Sequence, residues 1–525
     1  MTDETPPPSP PPEEPAPSGP SEDVPAVAVR RSLYRHPLTA IGGSLMLAGG
    51  FALVVLMALD LTASSENPYR SLITFVGAPL LILIGFGIFL LGVRVQITSA
   101  RARGETLRFN FRLELTDRRS RRALWLFAAM TASFVAIVAY SGFRGFEATD
   151  SVAFCADACH APMGPQAIAH QESAHAQVEC VACHIGPGGG SWVRAKVDGI
   201  RQLWGVITGE YDRPIPTPLE HIQSAEAVCE DCHWGEAPKG EKFIDVVHYS
   251  TDEANTPWSV SLLLDLGGGA EQGAIEGVHW HTFEANAVEY IATDRERQDI
   301  VWVRVTDGSG RTVVYTDPDA DIDPGDPEVE VRDFDCMDCH NRPSHVFESA
   351  GEVMDRDMAL GLINSDLPYV KRVGLDLLNA PYHTKTEALD AIRSGLVDFY
   401  ETNYASRMGE LRRDVDAAAN ALVEIYDKNF FPEMNTDYRV RFNNASHWVN
   451  AGCFRCHGSD LQSDTGRAIS AECDTCHLIV GQGPSDDPGE LVTDLGGLEF
   501  RHPVDIGGLW RQVPCTQCHS PYKEY

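Results

Sequence analysis

Cys180-Val181-Ala182-Cys183-His184 is the stretch that decides how this chain is read. Two thiols three positions apart can add to the two vinyl groups of one porphyrin, while the histidine directly after the second reaches its iron. Moving outward, the same spacing returns at Cys229/Cys232/His233, Cys336/Cys339/His340, Cys453/Cys456/His457, Cys473/Cys476/His477 and Cys515/Cys518/His519. A version one residue wider stands first, at Cys155/Cys159/His160. These seven motifs use all 14 cysteines, so none remains for a disulfide. Paired cysteines also build zinc sites, which is the plain alternative. With 18 histidines in 525 residues, chance would put one after a given pair about 3% of the time, so seven in seven has a probability on the order of 10^-10. Seven covalently attached c-type haems, each with one iron, account for the pattern.

Ahead of the motifs, residues 38–59, 72–93 and 123–142 are uncharged apolar stretches of 22, 22 and 20 residues. Each is long enough to cross a bilayer core of about 30 Å, which predicts three transmembrane helices; a buried core hairpin is the bland alternative. The first stretch is too long, and too far from the N-terminus, for a cleaved signal peptide. Arg30, Arg31 and Arg35 precede the first stretch, and Arg94, Arg101, Arg103, Arg108, Arg112, Arg118, Arg119, Arg121 and Arg122 fill the segment between the second and third. Basic segments stay on the cytoplasmic side, so everything beyond Arg144 is expected on the other side of a bacterial inner membrane. The periplasm is where c-type haem is attached and where thiols are not held reduced by the cytosol.

The net charge of −33 is carried by the haem region: residues 148–525 hold 28 Lys and Arg against 63 Asp and Glu. That balance argues against nucleic acid and favours a partner with a basic face, such as a small periplasmic cytochrome, or serves solubility alone. Residues 1–29, rich in Pro, Glu and Ser, are expected to be a disordered cytoplasmic arm.

The expected fold is three transmembrane helices followed by a haem-packed multihaem cytochrome domain with a small antiparallel β-sheet insert and a helical insert. Residues 30–146 form the anchor, and 147–244 a module around haems 1–3, with motifs too dense for a conventional core. Apolar-rich or alternating runs at 258–264, 278–283, 288–292, 300–305 and 311–315 predict strands within a sheet insert at 245–330. Residues 331–345 hold haem 4. Helical spacing at 386–400 and 407–430 predicts a helical insert over 346–445. Residues 446–525 form the compact cluster of haems 5–7.

Seven six-coordinate irons need seven distal ligands. With His36 on the cytoplasmic side, ten histidines remain: His170, His175, His221, His248, His279, His281, His345, His383, His447 and His502. Supply exceeds demand, so most irons can be closed by two imidazoles, which suits electron transfer rather than substrate binding. His345 follows His340 by five residues, His447 stands just before Cys453, and His502 opens a His-Pro-Val run ahead of Cys515. His279 and His281, two apart on an expected strand, should face the same side, where at least one could reach an iron. His175 and His248 complete the expected set. Met163, three residues after His160, is a possible thioether ligand or a core residue.

Phe154 through Arg213, with the wide first motif, Met163, Ser-Ala-His175 before Cys180, Trp192, Lys196 and Gly-Glu-Tyr-Asp212, resembles the NapC/NirT family of membrane quinol dehydrogenases. The extended form, with Cys336 through His345 and Gly452 through His457, resembles the heptahaem inner-membrane cytochromes of metal-reducing bacteria. The resemblance implies that the first haem lies at the membrane surface, that Met163 ligates it, and that Lys196 lines a quinol pocket. Family members usually have one span and four or five haems, so three spans and seven haems are a departure.

Independently of the family, a membrane-bound haem chain needs a lipid-soluble electron carrier, and quinol is one. Quinol releases two protons with its two electrons, so a site needs a group that accepts protons as well as one that holds the ring. Lys196 can hydrogen-bond a quinone oxygen and Asp198 can take a proton; Lys196 could instead rest on lipid headgroups. Three functions follow: a quinol or menaquinol dehydrogenase feeding periplasmic acceptors, an electron-transfer subunit of a larger complex with no quinone site, and a terminal reductase acting on a small molecule, which would need an open iron.

Overall fold

A computed structural model of the chain describes residues 36–62, 73–103, 118–158, 160–186, 189–219, 222–233, 240–267, 277–283, 285–458, 460–487, 489–513 and 515–519. The N-terminal arm, Cys159 and His221 lie outside them. The chain divides into two compact units, Met1–Gly145 and Phe146–Tyr525.

In the first unit, α1 (Pro37–Thr62) and α2 (Ala78–Ala102) pack against each other. Glycines make the approach possible. A Cβ on Gly85 would stand 2.8 Å from the Met46 amide nitrogen, and one on Gly92 would stand 2.6 Å from that of Thr39. Small residues that let backbones close in are the means by which helices associate where lipid removes the hydrophobic driving force. The segment Pro37–Leu56 and α2 are, among the described residues, the helices long and apolar enough to cross a membrane. The third apolar stretch falls within α3 (Arg118–Asp150), a helix of 33 residues.

In the second unit the haem motifs are single turns: Cys180–His184, Glu230–His233, Cys336–Cys339, Gly452–Arg455, Cys473–Thr475 and Cys515–Gln517. A turn is what the spacing requires, because residues three apart on a helical turn lie on one side. The fourth motif shows how such a turn is held. Asp335 caps it by accepting from the Met337 amide at 2.7 Å, and Asp338 Oδ2 accepts from the Asp335 amide at 2.7 Å. Tyr290 then donates to Asp338 Oδ1 at 2.5 Å.

The expected single sheet is two antiparallel sheets, and the C-terminal segment supplies strands to both. One runs β1 (Gly240–Tyr249), β2 (Pro257–Gly267), β8 (His477–Pro484), β9 (Val492–Leu498); the other runs β6 (Arg332–Asp333), β3 (Ala287–Ala292), β4 (Ile300–Thr306), β5 (Thr312–Thr316), β7 (Gln462–Ser463). The predicted strand at 278–283 is instead a 3₁₀ helix, Val278–Thr282. At three residues per turn, positions two apart point about 240° away from each other rather than to one side, so the expectation for His279 and His281 is corrected.

The helical insert is α6 (Ala350–Ala359), α7 (Val370–Leu378), α8 (Lys385–Asn403) and α9 (Met408–Asn429). Ile392, Leu396, Tyr400, Val415 and Leu422 are fully buried in its core. Ser349 and Thr384 cap α6 and α8 by accepting from the amides of Glu352 and Glu387. Within this core Lys371, fully buried, donates to Asp355 Oδ1 at 2.6 Å, and Asp355 Oδ2 lies 2.8 Å from His248 Nδ1. Burial alone would raise the Asp355 pKa, but the His248 hydrogen bond and the Lys371 charge outweigh it and hold the carboxyl below its usual range.

Candidate haem and quinol sites

The thiols of successive motifs lie beside one another in chain order. The Cys180 thiol is brought down to about 6, first by its hydrogen bond with Cys155 of the preceding motif. Burial raises Cys183, with Cys180 and Cys232 as neighbours. Burial, then Cys336 and Cys183, push Cys229 up to about 11. Burial, then Cys453, push Cys339 up to about 12, and burial, then Cys453 and Cys473, push Cys476 up to about 11. Burial raises Cys515, which has Cys473 and Cys518 beside it. Motif 1 therefore adjoins motif 2, and so on without a break to motif 7. None of the described cysteines is in a disulfide.

The attachment cysteines differ in exposure. Cys518 is exposed, as are Cys232 and Cys473, whereas the other described cysteines are partly buried. The exposure of Cys518 has a local reason. The seventh motif turns on its own backbone, with the Cys518 amide donating to the Cys515 carbonyl at 3.1 Å and the His519 amide to the same oxygen at 2.8 Å. Cys515 and His519 face inward on that turn and are partly buried, while Cys518 and Gln517 take its open side. A thioether forms at the porphyrin edge, which need not be enclosed, so an exposed thiol still fits attachment of haem.

Motif histidines face other histidines across a repeated gap. Ring centroids are 6.1 Å apart for His184 and His345, 6.2 Å for His233 and His175, and 5.8 Å for His457 and His281. They are 6.2 Å apart for His477 and His447 and 6.1 Å for His519 and His502. Two imidazoles bound in line to one metal, with bonds of about 2.0–2.1 Å and about 1.1 Å from each nitrogen to its ring centre, would stand about 6.3 Å apart. All five spacings fall just under that value. His340 is made less basic by burial and then by His279 and His233, which identifies its neighbours.

Hydrogen bonds orient these rings. Nδ1 of His175 lies 3.1 Å from the Pro343 carbonyl, that of His279 lies 2.9 Å from Leu266, that of His281 2.9 Å from Val278, and that of His345 3.1 Å from Gln166. A carbonyl only accepts, so Nδ1 carries the proton and Nε2 keeps its lone pair for a metal. Burial lowers the pKa of His281, His447, His477 and His519, and burial together with His184 pulls His345 down to about 4. Neutral imidazole is the form that binds a metal. The residues therefore fit covalent haem with two axial imidazoles.

Other candidates stand apart. His248 packs its ring 5.6 Å from Trp448 with Nδ1 on the Asp355 carboxylate, which, like the carbonyl contacts above, leaves Nε2 for a metal. His170 is buried 6.3 Å from His345, with Nε2 on the Val178 carbonyl. His383 lies in the bend between α7 and α8, its amide donating to the Glu387 carboxylate at 3.0 Å. Met163 lies on α4 (His160–Gln171), one turn beyond His160.

Lys196 sits on α5 (Gly189–Thr208) and donates to the Thr149 carbonyl at 3.0 Å and to the Asp150 carboxylate. Asp150 is buried at the C-terminal end of α3, five residues before Cys155. Asp198 is two residues beyond Lys196, about 200° round the helix from it. Asp150, overlooked in the sequence, is thus the carboxylate paired with Lys196. Its only sequence signal is position, between a long apolar helix and the first motif. Val197, Ile200, Trp204 and Ile207 make an apolar stripe on α5 that is 62–71% exposed. A helix with one exposed apolar face and Arg194 and Arg201 off that face suits a membrane interface.

Comparison with known proteins agrees with this chemistry. Residues 118–217 match the profile of the NapC/NirT cytochrome c family, N-terminal region. Cytochrome c-type protein ImcH of Geobacter sulfurreducens is 34% identical over 492 residues, which cover 93% of this chain and 96% of that protein. No solved structure matches.

Proposed function

The chain belongs to the NapC/NirT cytochrome c family, and from that premise we propose that it oxidises quinol at the membrane surface and delivers electrons along seven haems to periplasmic acceptors. As a c-type cytochrome of this family it is a membrane-type electron-transfer protein with covalently bound haem. The single observation that carries the fuller reading is the Lys196–Asp150 pair, whose aspartate stands five residues before the first of seven motifs that adjoin one another in order. When bound, the haems supply one-electron chemistry.

Cys155/Cys159, Cys180/Cys183, Cys229/Cys232, Cys336/Cys339, Cys453/Cys456, Cys473/Cys476 and Cys515/Cys518 hold the porphyrins in this reading. His184 with His345, His233 with His175, His340 with His279, His457 with His281, His477 with His447 and His519 with His502 close six irons, and His160 with Met163 serves the first. His248, held through Nδ1 by Asp355, is a further ligand candidate that this pairing does not use. Lys196 holds a quinol oxygen by hydrogen bond, and the Asp150 carboxylate takes a hydroxyl proton and releases it to the aqueous side; α3 is the third span, and α5 lies along the periplasmic interface. The acidic surface of residues 148–525 selects a basic electron acceptor.

The facing imidazoles disfavour a terminal reductase, which needs an open coordination position. An electron-transfer subunit without its own quinone site is separated by one experiment. Purified protein in detergent, mixed with a reduced menaquinone analogue, is expected to become reduced at its haems with no other protein present. No reduction by quinol, in protein that dithionite does reduce, would reject the quinol site.

A further inference from the structure

Beside the seventh motif the surface is apolar and acidic at once. Strand β9 ends the order of its sheet, with no strand beyond it among the described residues, and its Leu495 is 80% exposed. Val504 and Leu509, on the segment leading back to Cys515, are 62% and 42% exposed. Single exposed apolar side chains are ordinary, whereas a run of them beside a cofactor motif marks a place where something docks.

This run is tied to the motif by direct contacts. Gln482, buried on β8, donates from Nε2 to the Glu499 carbonyl at 2.6 Å and accepts at Oε1 from the Arg501 amide at 2.8 Å. That clamp fixes the exit of β9, where the Phe500 ring lies 6.3 Å from that of His502 and 5.5 Å from that of Trp510. His502 in turn stands 6.1 Å from His519, and the neighbouring Cys518 is exposed. The apolar run and the edge of the last motif therefore belong to one face.

Charge decides what that face accepts. Residues 486–511 contain six Asp and Glu against two Arg and no Lys. Both arginines are engaged: Arg511 Nε donates to Glu499 at 2.8 Å, and Arg501 lies over the Trp258 ring at 5.3 Å. Asp494 and Asp505 accept from the amides of Gly496 and Gly507 at 2.8 and 2.9 Å, and no ion pair reaches either among the described residues. A second copy of this chain would bring the same negative face and be repelled, whereas a basic protein is attracted.

We propose that β9 and the 499–511 segment form the face on which a small basic c-type cytochrome docks and takes electrons from the seventh motif. The inference rests on the reading of the motifs as an electron path fed by quinol. An apolar centre with a charged rim is the make-up of a transient interface, and the rim charge steers the encounter. The chain gives up one electron and the partner's ferric iron becomes ferrous; no bond forms or breaks and no proton moves.

The test uses the full-length haem-loaded protein in detergent, reduced with dithionite and mixed in a stopped-flow instrument with oxidised mitochondrial cytochrome c, a small basic cytochrome. The second-order rate constant is expected to fall as ionic strength rises and to be lower by about tenfold in Asp494→Lys/Asp505→Lys, and Leu495→Ser is expected to lower it as well. The same reversal in Asp319→Lys/Asp321→Lys, in the exposed acidic turn after β5, is expected to leave the rate within about twofold of wild type. Binding of zinc-substituted cytochrome c, followed by nuclear magnetic resonance, reads docking without electron transfer and is expected to weaken in the Asp494/Asp505 and Leu495 variants alone. Unchanged rates and binding in those variants, or an equal loss in the Asp319/Asp321 variant, would overturn the docking face. A wild type that sediments as a dimer and a Leu495→Ser variant that sediments as a monomer would assign the face to a second copy and overturn the proposal too. Should quinol fail to reduce the wild type while these rates behave as expected, the quinol site would be rejected and the exit face supported.

Discussion

His279 and His281 show what a single turn decides. On a strand they would have served one side; on the 3₁₀ turn Val278–Thr282 they point apart, His279 held by Leu266 and His281 facing His457. His279→Ala and His281→Ala are each expected to convert one haem from low to high spin, and the double variant two, as read by magnetic circular dichroism. A double variant that loses only one low-spin haem would place both histidines at the same iron. The cysteine pairs and the histidines that follow them stand out in the sequence because the proposed covalent chemistry sets their spacing within five or six residues. That spacing says nothing of burial, which is why the exposure of Cys518 shows only in the fold. Every histidine that faces a motif histidine was among the sequence candidates, but that His279 and His281 point apart, and that Asp150 pairs with Lys196, was not legible, because these come from a turn type and from a contact spanning 46 residues.

Between elements, two kinds of close packing stand out. In the first unit Gly85 and Gly92 leave no space for a side chain against α1. Gly85→Leu is expected to cost about 1–3 kcal/mol through overpacking, lowering the denaturant midpoint of the anchor in a mixed-detergent titration. In the helical insert, Lys371 neutralises a carboxylate that has almost no access to water. Lys371→Met leaves Asp355 a buried charge short of its cation and is expected to cost about 3–5 kcal/mol in chemical denaturation at neutral pH. The acid limb follows from the same pair. Because the folded pKa of Asp355 lies below its unfolded value, its contribution is complete above about pH 4 and is lost as pH falls through the folded value. Removing Lys371 raises the folded pKa, so acid unfolding of the variant should begin at higher pH. Helices α8 and α9 were legible from their apolar spacing, as were β2 to β5 from theirs. The recruitment of β7, β8 and β9 was not, since a strand's partner from far along the chain leaves no mark on local periodicity.

At the scale of the whole molecule, seven motifs in sequence order form seven neighbours in space, which in the proposed reading gives an electron path with a defined first member. Asp150, paired with Lys196, stands five residues before the first motif in sequence, and the acidic remainder of the chain follows. The central claim is that quinol delivers electrons at this end. It is tested most directly by stopped-flow reduction of Lys196→Leu, with all seven haems attached, using a menaquinol analogue and dithionite in parallel. Loss of one charged hydrogen bond to the quinol, about 1.5 to 3 kcal/mol, predicts a fall of roughly ten- to a hundredfold with quinol and an unchanged rate with dithionite. Equal quinol rates in variant and wild type would contradict the account.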